Sequence, residues 1–389
     1  MDFFQFNCPT RVVFNNGLAR DFGAELSLLP VSRLFVITDK VLVDLKVIDP
    51  ILEGIKKAGV GVVGLFSDVP SNSELGVVKM AAERAVRSEA DSVFAIGGGS
   101  VIDTAKGVDL LLTHNGDLVA DYSGAQTVPG PLRPLIVVPT TAGTGSEVST
   151  AAVILDEKTH TKLSFVDRHL APSLAILDPE VTRSMPPRLT AATAMDAMTH
   201  AIESYTSPQA NPVSRAFSAQ AIPLIRKNLM RAVLHGEDLE ARGALLTAAT
   251  MAGIAFDHAM VGVVHGMAHA TGGLAGVHHG TANSIFLPWG MEYNLEVAEA
   301  YYAEIAELLE VRRRGMSDRA AARAAIESIK RFRKELSRAC GLPHRLRDAG
   351  VKEGQLEAIA EGAVNDGTSF YNPREVVKEE LLGFVKKAW

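Results

Sequence analysis

Ser92-Val-Phe-Ala-Ile-Gly-Gly-Gly-Ser-Val-Ile-Asp103 joins an apolar run to a helical pattern through three glycines. A short run of β-branched and aromatic residues reads as a buried strand, and glycine lets the backbone turn sharply after it. The helix that follows presents unpaired N–H groups and the positive end of its dipole, which suit a phosphate. The plainer alternative is a flexible strand–helix turn. Neither standard phosphate motif is met: Ile102 takes the third glycine position of G-x-G-x-x-G, and no Gly-Lys-Ser/Thr follows.

Around this unit the same alternation repeats. Leu34–Thr38, Gly61–Phe66, Leu135–Val138 and Leu174–Leu177 are further candidate strands, short and bounded by Gly, Asp or Pro. Amphipathic stretches over Val43–Lys57 and Glu74–Ser88 lie between them. Strand–helix alternation implies a mostly parallel sheet covered by helices. A second turn, Val138-Pro-Thr-Thr-Ala-Gly-Thr-Gly-Ser-Glu-Val148, also follows a strand and is dense in hydroxyls and glycine. It suits a phosphate or ribose clamp, or else a surface loop with capping residues. Ligands of open α/β sheets bind at the C-terminal ends of strands, where both turns fall. Asp39 ends the Leu34–Thr38 strand. It can accept hydrogen bonds from an adenosine ribose, which favours NAD over NADP, or simply start the next helix.

Asp178–Pro187 carries three prolines, and the texture changes there. Beyond it no strand is expected. Helical periodicity covers Thr190–Tyr205, Pro212–Val233, Leu239–Asp257, Met291–Leu309, Asp318–Cys340 and Glu353–Val364. The expected architecture is α/β plus all-α: a parallel-sheet domain over residues 1–183, then an all-helical domain over 184–389.

Five of the eleven histidines fall between Asp257 and Gly280. His265 and His269 are four apart on an apolar helix, which the Gly272-Gly273 pair is expected to break before His278-His279. Asp196 and His200 share one face of an earlier apolar helix, and Thr193 and Glu203 extend the line. A polar stripe of this kind is either a solvent edge or the lining of something polar inside. Asp196, His200, His265 and His279 together supply one carboxylate and three imidazoles, a set suited to Fe2+ or Zn2+. Without a thiolate, and with room for a substrate oxygen, such a site has catalytic character. His269 and His278 are left over as relay or core residues. His258, seven residues before His265, falls on a similar face.

Bulk properties exclude other classes. A net charge of −6 argues against nucleic acid and anionic membranes as partners. No stretch reaches the roughly 18 apolar residues of a membrane span. Cys8 and Cys340 are too few and too far apart for a disulfide framework or a cysteine metal site. The N-terminal Met-Asp-Phe-Phe-Gln-Phe-Asn lacks the pattern of a signal peptide, so a cytoplasmic setting is expected.

Gly97-Gly-Gly-Ser-Val-Ile-Asp-Thr-Ala-Lys106, Pro139-Thr-Thr-Ala-Gly-Thr-Gly-Ser-Glu-Val148, Asp196-Ala-Met-Thr-His-Ala-Ile-Glu203, Gly262-Val-Val-His-Gly-Met-Ala-His269, His279-Gly-Thr-Ala-Asn-Ser-Ile-Phe-Leu-Pro288 and Asn372-Pro-Arg374 resemble, in order, the motifs of the iron-dependent (group III) alcohol dehydrogenases. That family includes lactaldehyde reductase and 1,3-propanediol dehydrogenase. The resemblance implies a Rossmann-like dinucleotide domain followed by a helical metal domain, the dehydroquinate synthase-like architecture. It implies Asp196, His200, His265 and His279 as metal ligands and Gly98, Gly99, Ser100 and Asp103 at the pyrophosphate. It places Thr140, Thr141 and Thr144 along the cofactor cleft, Lys162 near the ribose, and Asp39 as the NAD-selecting acid. Asn72 stands in Val-Pro-Ser-Asn-Ser, where the family has Pro-Asn-Pro. His269 matches a histidine beside the nicotinamide, suspected in proton transfer. Ala270–His279 departs from the family in its small residues and extra His278. The implied reaction is hydride exchange between NAD(H) and a small primary alcohol, aldehyde or diol, in a homodimer or larger homo-oligomer. Arg11-Val-Val-Phe14 is a candidate for the edge strand that such an assembly covers. Rival readings are a glycerol dehydrogenase, a dehydroquinate synthase-like lyase, or a non-catalytic metal and nucleotide scaffold. The near-absence of Lys and Arg in the metal-bearing segments disfavours the lyase.

Overall fold

The computed structural model describes residues 3–159 and 161–389. The chain divides into two compact units, one spanning Asn7–Ser184 and the other Met185–Trp389 with residues 3–6.

The first unit carries the strands β1 (Arg11–Phe14), β2 (Arg33–Ile37), β3 (Gly61–Phe66), β4 (Ser92–Gly97), β5 (Gly124–Ala125), β6 (Leu135–Pro139), β7 (Ala151–Asp156), β8 (Thr161–Val166) and β9 (Leu174–Leu177). Six of them form a wholly parallel sheet in the order β1-β9-β6-β4-β2-β3. Every residue of β4 and β6 is buried, because both faces of the sheet centre are covered; this is why these strands are continuous apolar runs rather than alternating ones. From β2 the chain winds outward to β3, then returns to β4 and winds the other way through β6. The switch of direction lies between β2 and β4, the place where open α/β sheets hold ligands.

Two features depart from expectation, and one alternative reading falls away. A small sheet, β5-β8-β7, contains an antiparallel β7–β8 pair. Its short, half-buried strands carry too weak an apolar signal to stand out. The expected Val43–Lys57 helix is two helices, Lys40–Asp44 and Asp49–Lys57, parted where Lys46 takes a positive φ of 58°. The Gly-Ser-Glu loop after β6 is not a surface loop, since Ser146, Glu147, Val148 and Ser149 are all buried.

The second unit is helical: Pro187–Thr206, Pro212–Leu234, Leu239–Ala259, Val263–Ala275, His279–Leu308, Asp318–Cys340, Leu356–Val364 and Lys378–Ala388. Two boundaries differ from the sequence pattern. Gly272-Gly273 does not break its helix, which runs to Ala275 and stops where Gly276 adopts the left-handed conformation. The helix expected from Met291 begins twelve residues earlier, at His279, and carries Pro288 inside it. Among the described residues no single helix is long and apolar enough to cross a membrane.

Candidate functional site

In the first unit the loops after β2, β4 and β6 leave neighbouring parallel strands at the same end of the sheet. The Thr140 N–H donates to Gly97 O at 3.0 Å, holding the two turns side by side. Gly98 and Gly99 are glycines because there is no room for more. A Cβ on Gly98 would lie 3.1 Å from the Thr141 side chain, and one on Gly99 would lie 2.7 Å from Thr144 Cγ2. The three expected partners, glycine turn and Thr141 and Thr144, are therefore in contact. Ser100 Oγ donates to Ser71 O at 2.6 Å, beside the exposed Asn72.

Asp103 faces the other way. One carboxylate oxygen accepts from Ser146 Oγ at 2.7 Å and the other from Val153 N–H at 3.0 Å, tying the Gly99–His114 helix to the hydroxyl-rich loop and to β7. Burial pushes its pKa up against the opposing influence of Lys106 and these donors. An acid so engaged braces the loop. Lys162 sits on β8 opposite Leu155, and its charge also acts on Asp103. Asp39 caps the Lys40–Asp44 helix, accepting from Leu42 N–H at 2.9 Å, so the helix-start reading of this residue holds.

In the second unit Asp196, His200, His265 and His279 each offer one ligand atom, and these four atoms lie within 4.8 Å of one another. They come from three helices. Asp196 and His200 are one turn apart on Pro187–Thr206; His265 is in the first turn of Val263–Ala275; His279 opens His279–Leu308. A bend of 104° between Leu239–Ala259 and Val263–Ala275, with Met260 at φ 62°, turns the second helix so that its first turn faces the quartet. His279 reaches Asp196 because Gly280 lets the two helices touch: a Cβ there would lie 2.4 Å from Ala192 O.

Asp196 Oδ1 is 3.5 Å from His279 Nε2 and 4.0 Å from His265 Nε2. Tetrahedral ligands at about 2.1 Å from a metal stand roughly 3.4 Å apart, so the quartet is slightly open for a cation. Two further observations fit one. His265 Nε2 is buried and has no hydrogen-bond partner among the described residues, a cost of about 1–3 kcal/mol unless something binds it. The Asn283 amide nitrogen donates to Asp196 Oδ1 at 2.6 Å and lies 3.1 Å from His279 Nε2, while its own oxygen is buried without a partner. A donor there faces the lone pairs a cation would attract.

Glu203, one turn beyond His200, does more than extend the stripe. Its Oε2 meets His265 Nδ1 at 2.6 Å and its Oε1 accepts from Val264 N–H at 2.7 Å. The carboxylate thus caps the helix and holds the imidazole proton on Nδ1, which points the Nε2 lone pair at the quartet. Phe256 stacks on His200 at 4.5 Å, and His200 on His265 at 4.6 Å.

His269 lies outside the quartet but against it, stacked on His279 at 5.2 Å. Its Nδ1 is 2.9 Å from Asp366 Oδ2. Burial works to raise the Asp366 pKa, but the hydrogen bond and charge of His269 and two donors from Thr368 prevail and hold it below the usual range. His258 is elsewhere: its Nδ1 is 2.8 Å from Ile254 O and its ring stacks on Phe6. His278 is the exposed residue preceding the His279 helix.

Two family models cover nearly the whole chain: iron-containing alcohol dehydrogenase over residues 9–179, and the Fe-containing alcohol dehydrogenase family C-terminal model over residues 190–389. The chain belongs to the iron-containing alcohol dehydrogenase family. It is 39% identical over 388 residues, 99% of each chain, to a 1,3-propanediol dehydrogenase of Citrobacter freundii. It is 35% identical to an NAD-dependent methanol dehydrogenase of Bacillus methanolicus, over 98% of this chain and 99% of that one. Lactaldehyde reductase of Escherichia coli matches at 34%, over 97% of each. Among solved structures, a 1,3-propanediol oxidoreductase superposes with a TM-score of 0.95 at 38% identity, covering all of both chains. Sulfoacetaldehyde reductase from Bifidobacterium kashiwanohense in complex with NAD+ gives 0.87 at 26% identity, covering 100% of this chain and 99% of that one.

Proposed function

We propose that this chain is a metal- and NAD(H)-dependent oxidoreductase of small primary alcohols, diols and their aldehydes. The observation that carries it is the quartet of ligand atoms within 4.8 Å, three of its residues buried and His279 partly exposed, drawn from three helices. Asp196, His200, His265 and His279 hold one divalent cation, Fe2+ or Zn2+, in the helical part, residues 184–389. Gly98, Gly99 and Ser100 hold the pyrophosphate in residues 1–183, with Thr140, Thr141, Thr144, Lys162 and Asn72 around the cofactor and Asp103 bracing the loop. When bound, the cation supplies Lewis acidity to an alcohol or aldehyde oxygen and the nicotinamide exchanges hydride with the neighbouring carbon.

The chain's own residues do the rest. Glu203 orients His265. Asp366 fixes the His269 ring through Nδ1, leaving Nε2 to pass a proton between substrate and solvent. Asp39, though occupied at one oxygen as a helix cap, keeps its charge beside the ribose and favours NAD over NADP.

Metal-stripped protein refilled with Fe2+ or Zn2+, assayed for NADH formation with short primary alcohols and diols, tests this reading. Turnover is expected with NAD, much less with NADP, and none without metal. No turnover with any alcohol in the metal-loaded protein would favour the binding-scaffold reading instead. In a separate check, Gly99→Ala should weaken NADH binding by roughly tenfold, since crowding a packed position costs about 1–3 kcal/mol, while metal content stays unchanged. Titration of NADH fluorescence reads the first and atomic absorption the second.

The protein is expected to act in the cytoplasm as a homodimer or larger homo-oligomer, with neither nucleic acid nor membrane as partner. β1 is the sheet edge that supports assembly. Among the described residues it pairs only with β9, and Val12 and Phe14 are 38% and 48% exposed. Light scattering on the eluting protein should give a mass of at least two chains, and Val12→Lys should shift it toward one.

A further inference from the structure

Arg333 lies on the buried face of the Asp318–Cys340 helix and is only 2% exposed. A guanidinium is always charged, and a buried charge needs a counter-charge or pays several kcal/mol in lost hydration. Among the described residues Arg333 has no carboxylate partner: its one hydrogen bond there runs from Nη2 to the His344 carbonyl oxygen at 2.7 Å, and its Nε is buried without an acceptor. Burial alone pulls its pKa down to about 9, with no neighbouring charge to offset it. Arg333 lies two turns before the end of its helix at Cys340, beyond the reach of the helix dipole, so its charge is left uncompensated.

The residue it touches repeats the pattern. His344 Nδ1 is also buried without a partner. Burial first, and then the positive charges of Arg333, Lys334 and Arg345, depress the His344 pKa to about 4, against a small opposing effect of Asp348. Asp348 is turned outward, accepting from the Arg345 backbone N–H at 3.1 Å. A neutral imidazole with its proton on Nδ1 is a second donor in search of an acceptor. In that tautomer two orphaned donors stand with one uncompensated cation, which describes a site that lacks a negative acceptor.

We propose that Arg333 Nε–H and His344 Nδ1–H form a buried binding site for one small monovalent anion of chloride size. A water molecule could accept from both donors but would leave the charge uncompensated. A divalent anion would replace one uncompensated charge with another. Small size follows from dense packing: near them along the chain, Leu336, Leu342 and Leu346 are essentially fully buried. The site lies outside the quartet of ligand atoms, so its occupancy is expected to act on stability.

Crystals of the protein grown in sodium bromide would be measured at the bromine edge. The expected result is an anomalous peak beside Arg333 Nε and His344 Nδ1. In solution the melting temperature should be higher by about 3 °C in sodium chloride than in sodium gluconate of equal ionic strength, because a ligand of the native state stabilises it. Arg333→Met should abolish that difference. A feature at the site with no anomalous signal, together with equal melting temperatures in the two salts, would overturn the proposal. If Arg333→Met does not fold, the bromide peak and the salt comparison on the native sequence decide alone.

Discussion

Replacing His265 with alanine is expected to remove both bound metal and turnover while the fold persists. His265 Nε2 is buried with no hydrogen-bond partner among the described residues, so its placement makes little sense without a cation. Losing one of four protein ligands to a divalent metal costs affinity outright. Metal activation of a substrate oxygen supplies several kcal/mol of barrier lowering, and each 1.36 kcal/mol is tenfold in rate; a fall in kcat/KM of about a thousandfold or more follows. The fold should survive because the side chain leaves a polar gap bordered by Glu203 and His200, and the helix keeps its Val264 N–H bond to Glu203. The measurements are metal content after dialysis, NADH production and a thermal melt. Glu203→Gln is the graded companion. Gln can still cap the helix but cannot hold the imidazole proton as a carboxylate does, so metal affinity should fall by about 10–100-fold with some activity left. Full activity in metal-free His265→Ala protein would dispose of the metal-centred mechanism.

What was legible in the sequence was whatever has a short period. The β4 run, its glycine turn and the following helix were readable because a wholly buried strand is an unbroken apolar string. Asp196 with His200 could be placed on one face because they share a helix. Glu203 lies on that same stripe and is readable as part of it, but its contact with His265, 62 residues away, is not. Asn283 is likewise one turn after His279, but the helix containing both was hidden by Gly280 and Pro288, two residues that normally interrupt one. Here Gly280 serves a close helix approach, and Pro288 is fully buried. Asp366 carried no local signal: it sits 97 residues from the His269 it holds, before a short 3-10 turn. The β7–β8 pair was missed because Thr161-Lys-Leu-Ser-Phe-Val166 alternates only weakly and buries a single residue fully. Non-local contacts of this kind are set by packing, which a one-dimensional pattern does not display.

Gly280→Ala carries the second large effect, and it separates the packing argument from the ligand argument. The substitution touches no ligand atom. Its methyl group would sit 2.4 Å from Ala192 O and 2.8 Å from Ala192 C, both backbone atoms inside the Pro187–Thr206 helix, and 3.3 Å from Asp196 Cβ. Backbone in mid-helix cannot rotate aside as a side-chain tip can, so the start of the His279–Leu308 helix must back away from Asp196. Overpacking of this sort costs about 1–3 kcal/mol, and in a helical unit of this size that lowers the melting point by several degrees. The functional cost should exceed the stability cost, because His279 is the residue next to the clash and its Nε2 is already 3.5 Å from Asp196 Oδ1. Metal affinity is therefore expected to drop by at least tenfold and activity with it, with NADH binding untouched. Thermal melts, chelator competition and NADH titration on the same preparation read the three quantities. If metal affinity and melting point both stay at their original values, then the contact between these two helices is not what assembles the quartet.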